Sequence, residues 1–187
     1  MIKMGIQAKQ VKPSSVLKFN VVPASKSDAK EITHLINDEW KRSGAVLHVS
    51  EDDVKSWIDH GLCFVAKNES GAIVGHQAAS KWPESGWVEL RAAVVLSEYR
   101  GNGLNTKLKD AIITAINTTY PEATIVSLKN GESRGHNELT QRGFEKVESS
   151  QIPPAILKEL LKIGPLGENY EIYIYPPISE VKKAMRQ

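Results

Sequence analysis

Residues 88–104 join an apolar strand-like run, Val88-Glu89-Leu90-Arg91-Ala92-Ala93-Val94-Val95-Leu96, to the turn Arg100-Gly101-Asn102-Gly103 and then to the helical pattern that opens at Leu104. Strand, glycine turn and helix in that order constrain the fold strongly. They place the start of a helix at the end of a buried strand, which is the geometry of an anion site in an α/β domain. The first N–H groups of a helix have no partner inside it, and the helix dipole favours negative charge there. Gly101 and Gly103 carry no side chain to keep a phosphate away from those amides, and Arg100 and Asn102 offer further donors at the rim.

Familiar phosphate loops do not fit. The chain lacks G-x-x-x-x-G-K-[ST], and the third glycine of G-x-G-x-x-G is replaced by Thr106.

The elements around this segment alternate in type. Residues 17–21 read as a strand ending at Pro23. Asp28, with Glu31 three residues on, reads as a capping box for a helix through Ile32, Leu35, Ile36 and Trp40, stopping at Gly44. Ser50 or Glu51 opens a short helix closed by Gly61. Strands follow over residues 62–67, 72–82 and 87–96. The helix from Leu104 buries Leu108, Ala111, Ile112 and Ala115 and ends before Pro121. A strand over 123–128, a weak helix over 134–142 stopped by Gly143, and a short strand over 144–147 come next. Pro153-Pro154 start a helix capped by Gly164, and residues 170–175 alternate as a last strand. The expectation is one mixed α/β domain over residues 17–178, with a mobile leader over 1–16 and a tail over 179–187.

Composition limits the function classes. At 187 residues, 41% hydrophobic and 25% charged, the chain fits a single globular domain. Lys plus Arg number 24 against 22 Asp plus Glu, a balance that gives no argument for nucleic acid as partner. No apolar run approaches the roughly 18 residues of a membrane span, and no signal peptide is visible, so a cytoplasmic protein without membrane partners is expected. The lone Cys63 sits in an apolar run and reads as a small core residue rather than a reactive thiol. His34, His48, His60 and His76 show no metal-ligand spacing, so no metal is expected.

The turn with its strand and helix resembles the acetyl-CoA-binding motif of the GNAT family of N-acetyltransferases, R/Q-x-x-G-x-G/A. Arg100, Gly103 and the preceding Glu98-Tyr99 match, while Asn105 departs from the final Gly or Ala. Gly143-Phe144 looks like the Gly-Phe that follows the fourth helix in this family. The resemblance implies a mixed central sheet of six to seven strands flanked by helices, with two strands splayed apart to hold pantetheine. It implies acetyl-CoA as cosubstrate, an amine acceptor, and compatibility with a homodimer. It places the cofactor on Val94, Val95 and Leu96, near a bulge there, and on Arg100, Gly101, Asn102, Gly103, Leu104, Asn105 and Thr106.

The chemistry needs a base to deprotonate the amine and an acid for the departing thiolate. Glu89 is the candidate base, against an alternative role as ion-pair partner of Arg91. Alternation sets Trp87, Glu89, Arg91 and Ala93 on one face and Val88, Leu90, Ala92 and Val94 on the other. The acid is a Tyr four residues before the Gly-Phe in many members, and that position is Leu139 here. His136, Tyr173 and Tyr175 remain as substitutes. A weaker resemblance, through Glu89-Leu90, Gln141-Arg142-Gly143-Phe144 and Ile152-Pro153-Pro154, is to the acetyltransferase domain of N-acetylglutamate synthases. It implies an amino-acid-like acceptor. A catalytically silent acyl-CoA sensor and a protein N-acetyltransferase are the competing readings.

Overall fold

A computed structural model describes residues 17–44, 46–82, 85–130, 136–162 and 170–176. The expected leader over 1–16, the tail over 179–187 and the Gly164 cap lie outside them. In chain order the elements are β1 Phe19–Pro23, α1 Ala29–Ser43, α2 Glu51–Asp59, β2 Cys63–Asn68, β3 Ile73–Lys81 and β4 Trp87–Val95. Then come α3 Leu104–Thr119, β5 Thr124–Asn130, α4 His136–Thr140, β6 Glu145–Val147, α5 Pro154–Lys162 and β7 Tyr170–Tyr175. Among the described residues the strands form one seven-stranded sheet in the order β1-β2-β3-β4-β5-β7-β6. Every neighbouring pair is antiparallel except β4 and β5.

Local chemistry fixes the helix ends, in one case differently from the expectation. The capping box ahead of α1 is Ser25 with Asp28, not Asp28 with Glu31. Ser25 donates its backbone N–H to Asp28 Oδ2 at 2.9 Å, and the chain enters α1 through a 3-10 turn over Lys26–Asp28. Glu31 instead reaches across to accept the backbone N–H of Ile73 at 2.9 Å, joining α1 to the start of β3. A second box matches expectation: Asp53 N–H donates to Ser50 Oγ at 3.1 Å, and Ser50 N–H to Asp53 Oδ2 at 2.8 Å.

Helices cover both faces of the sheet. On one, Ile32 and Ile36 of α1 with Val54 and Trp57 of α2 pack on Val65, Ala78 and Val94. Beside them Ile156 and Leu160 of α5 pack on Trp82, Trp87, Val126 and Ile172. On the opposite face Ile112 and Ile116 of α3 meet Val88, Leu90 and Ile125, and Leu108 packs on Val95 and Val74. Each of the fully buried α3 side chains contributes about 1.5–3 kcal/mol of hydrophobic stabilisation. Gly75 lets α3 come this close, since a Cβ there would stand 3.1 Å from Leu108 Cδ1 and 3.2 Å from Leu104 Cδ2.

Strict alternation along β4 fails at one place. Ala78 pairs with Arg91 but His76 with Val94, so Ala92 and Ala93 stand opposite Gln77 alone. Two residues against one is a β-bulge, and it reverses which face the following side chains take. Val88 and Leu90 face α3, whereas Val94 faces α1 and α2, and Val95 takes the α3 side. The bulge is thus at Ala92–Ala93, ahead of the expected residues 94–96. Period-2 reading holds only as far as Arg91.

Candidate active site

The parallel pairing of β4 and β5 is short. It runs from Trp87↔Thr124 to Leu90↔Ser127 and stops, while β5 continues against β7 as far as Asn130↔Tyr170. Beyond Leu90 the two central strands part, leaving a wedge walled by residues 91–95 of β4 and the end of β5. The bulge causes the parting, because an inserted residue bends its strand and strengthens its twist.

Ala92 carries the strain, with φ of 53°, the one non-glycine positive φ among the described residues. Two β3 side chains hold it. His76 Nδ1 donates to the Ala92 carbonyl at 2.8 Å, and Gln77 Nε2 donates to the Arg91 carbonyl at 2.9 Å. After the bulge, Leu96 spends its N–H on the Val74 carbonyl at 3.0 Å. Alternation therefore turns the N–H of Val95 away from β3, toward the wedge. The carbonyl of Val95 accepts Arg100 Nε at 2.9 Å.

The wedge opens onto the N-terminus of α3. Gly101 and Gly103 have φ of 79° and 73°, and a Cβ at either would meet nothing within 4 Å. Gly103 is the N-cap and supplies no side-chain hydrogen bond, and the first turn of α3 holds no acidic residue. The leading amides of Leu104, Asn105 and Thr106 are thus left for an anion. The polar side chains nearby are already engaged. Arg100 Nη2 lies 3.3 Å from Glu39 Oε2, and Asn102 Nδ2 bonds the carbonyls of Tyr99 and Arg100 at 3.3 and 3.1 Å. Asn105 Nδ2 donates to Glu138 Oε2 at 3.0 Å, and Thr106 Oγ1 donates to Glu138 Oε1 at 3.3 Å. Backbone rather than side chains makes this a cradle.

Glu89 lies at the closed end of the wedge, on the face covered by α2 and α5. It is 3% exposed. Arg91 Nη2 stands 3.4 Å from its Oε2, within ion-pair reach but without hydrogen-bond geometry, and Oε2 has no other partner. Burial raises its carboxyl and Arg91 lowers it; burial wins, and the group is pushed up to about 7. The guanidinium of Arg91 lies over the Trp57 ring, 5.7 Å from its centroid.

The family model of the GNAT acetyltransferases matches residues 29–135, more than half of the chain. The chain belongs to that family. Among curated proteins none matches. The fold of this acetyltransferase recurs in many solved structures. The N-acetylglutamate synthase of Neisseria gonorrhoeae, solved with coenzyme A and N-acetyl-glutamate, aligns with a TM-score of 0.67 at 18% identity. That alignment covers 84% of this chain and 34% of the synthase, so the chain spans about a third of that protein's length. A GNAT-family acetyltransferase from Staphylococcus aureus aligns at 0.63 and 16% identity, over 84% of this chain and 98% of that one. The phosphinothricin acetyltransferase of Sinorhizobium meliloti, solved with acetyl-CoA, aligns at 0.58 and 19%, over 70% and 76%. At these identities the likeness is one of fold.

Within the acetyltransferase, the residue at the expected acid position gives no proton donor. Leu139 is fully buried in the core beneath α3. Tyr173 donates its hydroxyl to Glu171 Oε2 at 2.8 Å, and burial together with that carboxylate pushes it up to about 12. Tyr175 packs on Phe144, and the side chain of His136 lies outside the described residues. Sequence reasoning missed Gln77 altogether and left His76 without a role. Their only signal was two polar residues in the middle of an apolar strand. Among the described residues no group of three or more His, Cys, Asp or Glu is placed to hold a metal, and no helix is long and apolar enough to cross a membrane.

Proposed function

We propose that this acetyltransferase moves the acetyl group of acetyl-CoA to the primary amine of a small, amino-acid-like acceptor by direct attack on the thioester. The observation that carries the reading is Glu89: a buried carboxyl raised to about 7 at the closed end of the wedge, on the face opposite α3. Acetyl-CoA is a consumed cosubstrate, and its electrophilic thioester is the chemistry it brings. The residues fit it. The uncapped start of α3 with Gly101 and Gly103 suits the pyrophosphate, and the side of β4 left unpaired with β5 from Val94 to Leu96, with the N–H of Val95, suits the pantetheine amides.

The acceptor then approaches from the α2 and α5 side. Its amine arrives protonated, since a lysine-like ammonium has a pKa of about 10.4, and a base poised near neutrality is well matched to remove that proton. Arg91 is the natural anchor for an acceptor carboxylate. Its guanidinium is partly exposed, lies over the Trp57 ring, and is not locked to Glu89 by a hydrogen bond. The synthase among the structural neighbours was solved with N-acetyl-glutamate, an acylated amino acid, which agrees with this choice.

The test is release of free thiol from acetyl-CoA with a panel of amines, each α-amino acid set beside its carboxamide. Turnover confined to acceptors with a free carboxylate, with KM raised at least tenfold in Arg91→Gln, is the expected result. Equal rates with acid and amide would remove Arg91 from the acceptor site. Tight acetyl-CoA binding without thiol release from any amine or peptide would identify a sensor instead.

A further inference from the structure

Thiolate expulsion calls for a proton, and the tyrosine position that would supply it is apolar. We propose that Lys129 is the general acid of this acetyltransferase, protonating the coenzyme A sulfur as the C–S bond breaks. This rests on direct attack by the amine as proposed above.

Lys129 stands on β5 two residues past Ser127, the last residue paired with β4. Continued without the splay, the parallel register would set Lys129 opposite Ala92, so the lysine and the bulge face each other across the wedge. Alternation puts its side chain on the same face as Ile125 and Ser127, toward α3 and α4. Its Nζ is sealed from solvent and has no hydrogen-bond partner.

An unpartnered ammonium here is unexpected, because carboxylates are close. Each of them, however, holds another cation or donor. Glu138 of α4 accepts Lys109 Nζ of α3 at 2.9 Å and lies 3.5 Å from Arg142 Nη1. Glu171 of β7 accepts Lys146 Nζ at 2.7 Å and the Tyr173 hydroxyl at 2.8 Å. Lys129 is left over. Burial first, and the charge of Lys109 second, bring it down to about 8, against the weaker pull of Glu138 and Glu171. At neutral pH it still carries its proton, and it holds that proton loosely enough to give it to a thiolate, whose ordinary pKa is about 8.5. The protons balance. The ammonium gives up two protons, one to Glu89 before attack and one to water as the C–N bond forms, and Lys129 gives one to sulfur as the C–S electron pair leaves with it. Once coenzyme A has left the wedge, Lys129 takes one proton back from water and Glu89 releases its own, so one proton in all goes to solvent.

The first measurement needs no acceptor. The ultraviolet absorbance of the thiolate of bound coenzyme A is followed against pH in the wild-type protein and in Lys129→Met. Lys129→Met should fold at least as well as wild type, because it removes an unpaired buried charge; Lys129→Gln serves as a second variant, and both are checked by melting curve and coenzyme A affinity. The thiol should titrate at least one unit lower in wild type than in either variant. The same thiol pKa in all three would overturn the proposal. Turnover separates proton donation from charge. Lys129→Met and Lys129→Arg should each lose about 10²-fold or more in kcat with KM for acetyl-CoA little changed, since arginine keeps the charge but does not give up its proton. Wild-type kcat in Lys129→Arg would likewise overturn it. Failure of wild type to acetylate any amine would count against the proposed function alone, and the thiol titration would still decide on Lys129.

Discussion

The imidazole of His76 and the carbonyl of Ala92 are 2.8 Å apart, and that single bond settles the state of the ring. A carbonyl only accepts, so Nδ1 carries the hydrogen and Nε2 is the acceptor, 3.3 Å from Cys63 Sγ. Cys63 is its complement. Burial pushes the thiol up to about 12, so it stays protonated and donates. Trp57 stacks on the ring from above, with centroids 6.2 Å apart. The histidine is a neutral pin on the strained bulge, and the lone cysteine is its support.

A stability profile should expose this. Burial brings His76 down to about 4 from 6.5, so the unfolded chain takes up a proton that the native state refuses, and stability falls as pH drops from 6.5 to 4. Glu89 works in the other sense. Raised from 4.5 to about 7, it weakens the fold as pH climbs through that interval. Each effect amounts to about 3 kcal/mol at most, and over pH 4.5–6.5 they oppose each other. Urea denaturation should therefore give a nearly flat wild-type profile there, while His76→Gln should lose stability steadily from pH 4.5 to 7. Parallel profiles for the two proteins would show that His76 is not held neutral.

Glu89→Gln separates catalysis from packing. Turnover should fall by about 10²- to 10⁴-fold, and the acidic limb of the kcat/KM profile near pH 7 should vanish. At pH 8 the variant should melt no lower than wild type, because it no longer buries a charge with an incomplete partner. A less stable variant with undiminished activity per folded molecule would reduce Glu89 to a partner of Arg91.

Gly103 and Gly61 share a left-handed φ, 73° and 69°, and open space where a Cβ would stand. Alanine at either should cost about 1 kcal/mol of backbone strain. Only Gly103→Ala should also weaken acetyl-CoA binding, by tenfold or more in calorimetry, since its methyl group would intrude on the cradle. Equal affinities in the two variants would make the turn purely architectural.

Gly75→Ala tests the approach of α3 to the sheet. Its methyl would press on Leu104, Leu108 and the Val94 carbonyl at 3.1–3.3 Å, and overpacking of this kind costs about 1–3 kcal/mol. Thermal melting should show it, with weaker acetyl-CoA binding as the helix start moves. An unchanged melting temperature would mean that the leucines yield freely.

Much of this was legible in the chain itself. Hydrophobic period and turn residues located the strands and helices, because those signals are local. The glycine turn marked the start of α3 for the same reason. The bulge was not readable at Ala92, since nothing in Arg91-Ala92-Ala93-Val94 distinguishes it from an ordinary strand. It is imposed from β3, by His76 and Gln77, some fifteen residues away in sequence. The unpaired Lys129 was equally hidden, being defined by what Lys109, Lys146 and Tyr173 take from Glu138 and Glu171. Such facts belong to the tertiary arrangement.

The four-residue register between β4 and β5 also has a mechanical side. Backbone bonds couple strands β1 to β4 into one plate and β5, β7 and β6 into another, and among the described residues the strands of the two plates pair only from Trp87↔Thr124 to Leu90↔Ser127. Like a book held by the lower part of its spine, the sheet has no β4–β5 pairing, among the described residues, at the edge where the chain meets α3. A pantetheine arm lying in the wedge, bonded to β4 on one side, would act as the missing upper stitching, so acetyl-CoA should stiffen amides on both plates at once. Release of coenzyme A would return that slack, and the opening that lets product out would be the same looseness that admits the next donor.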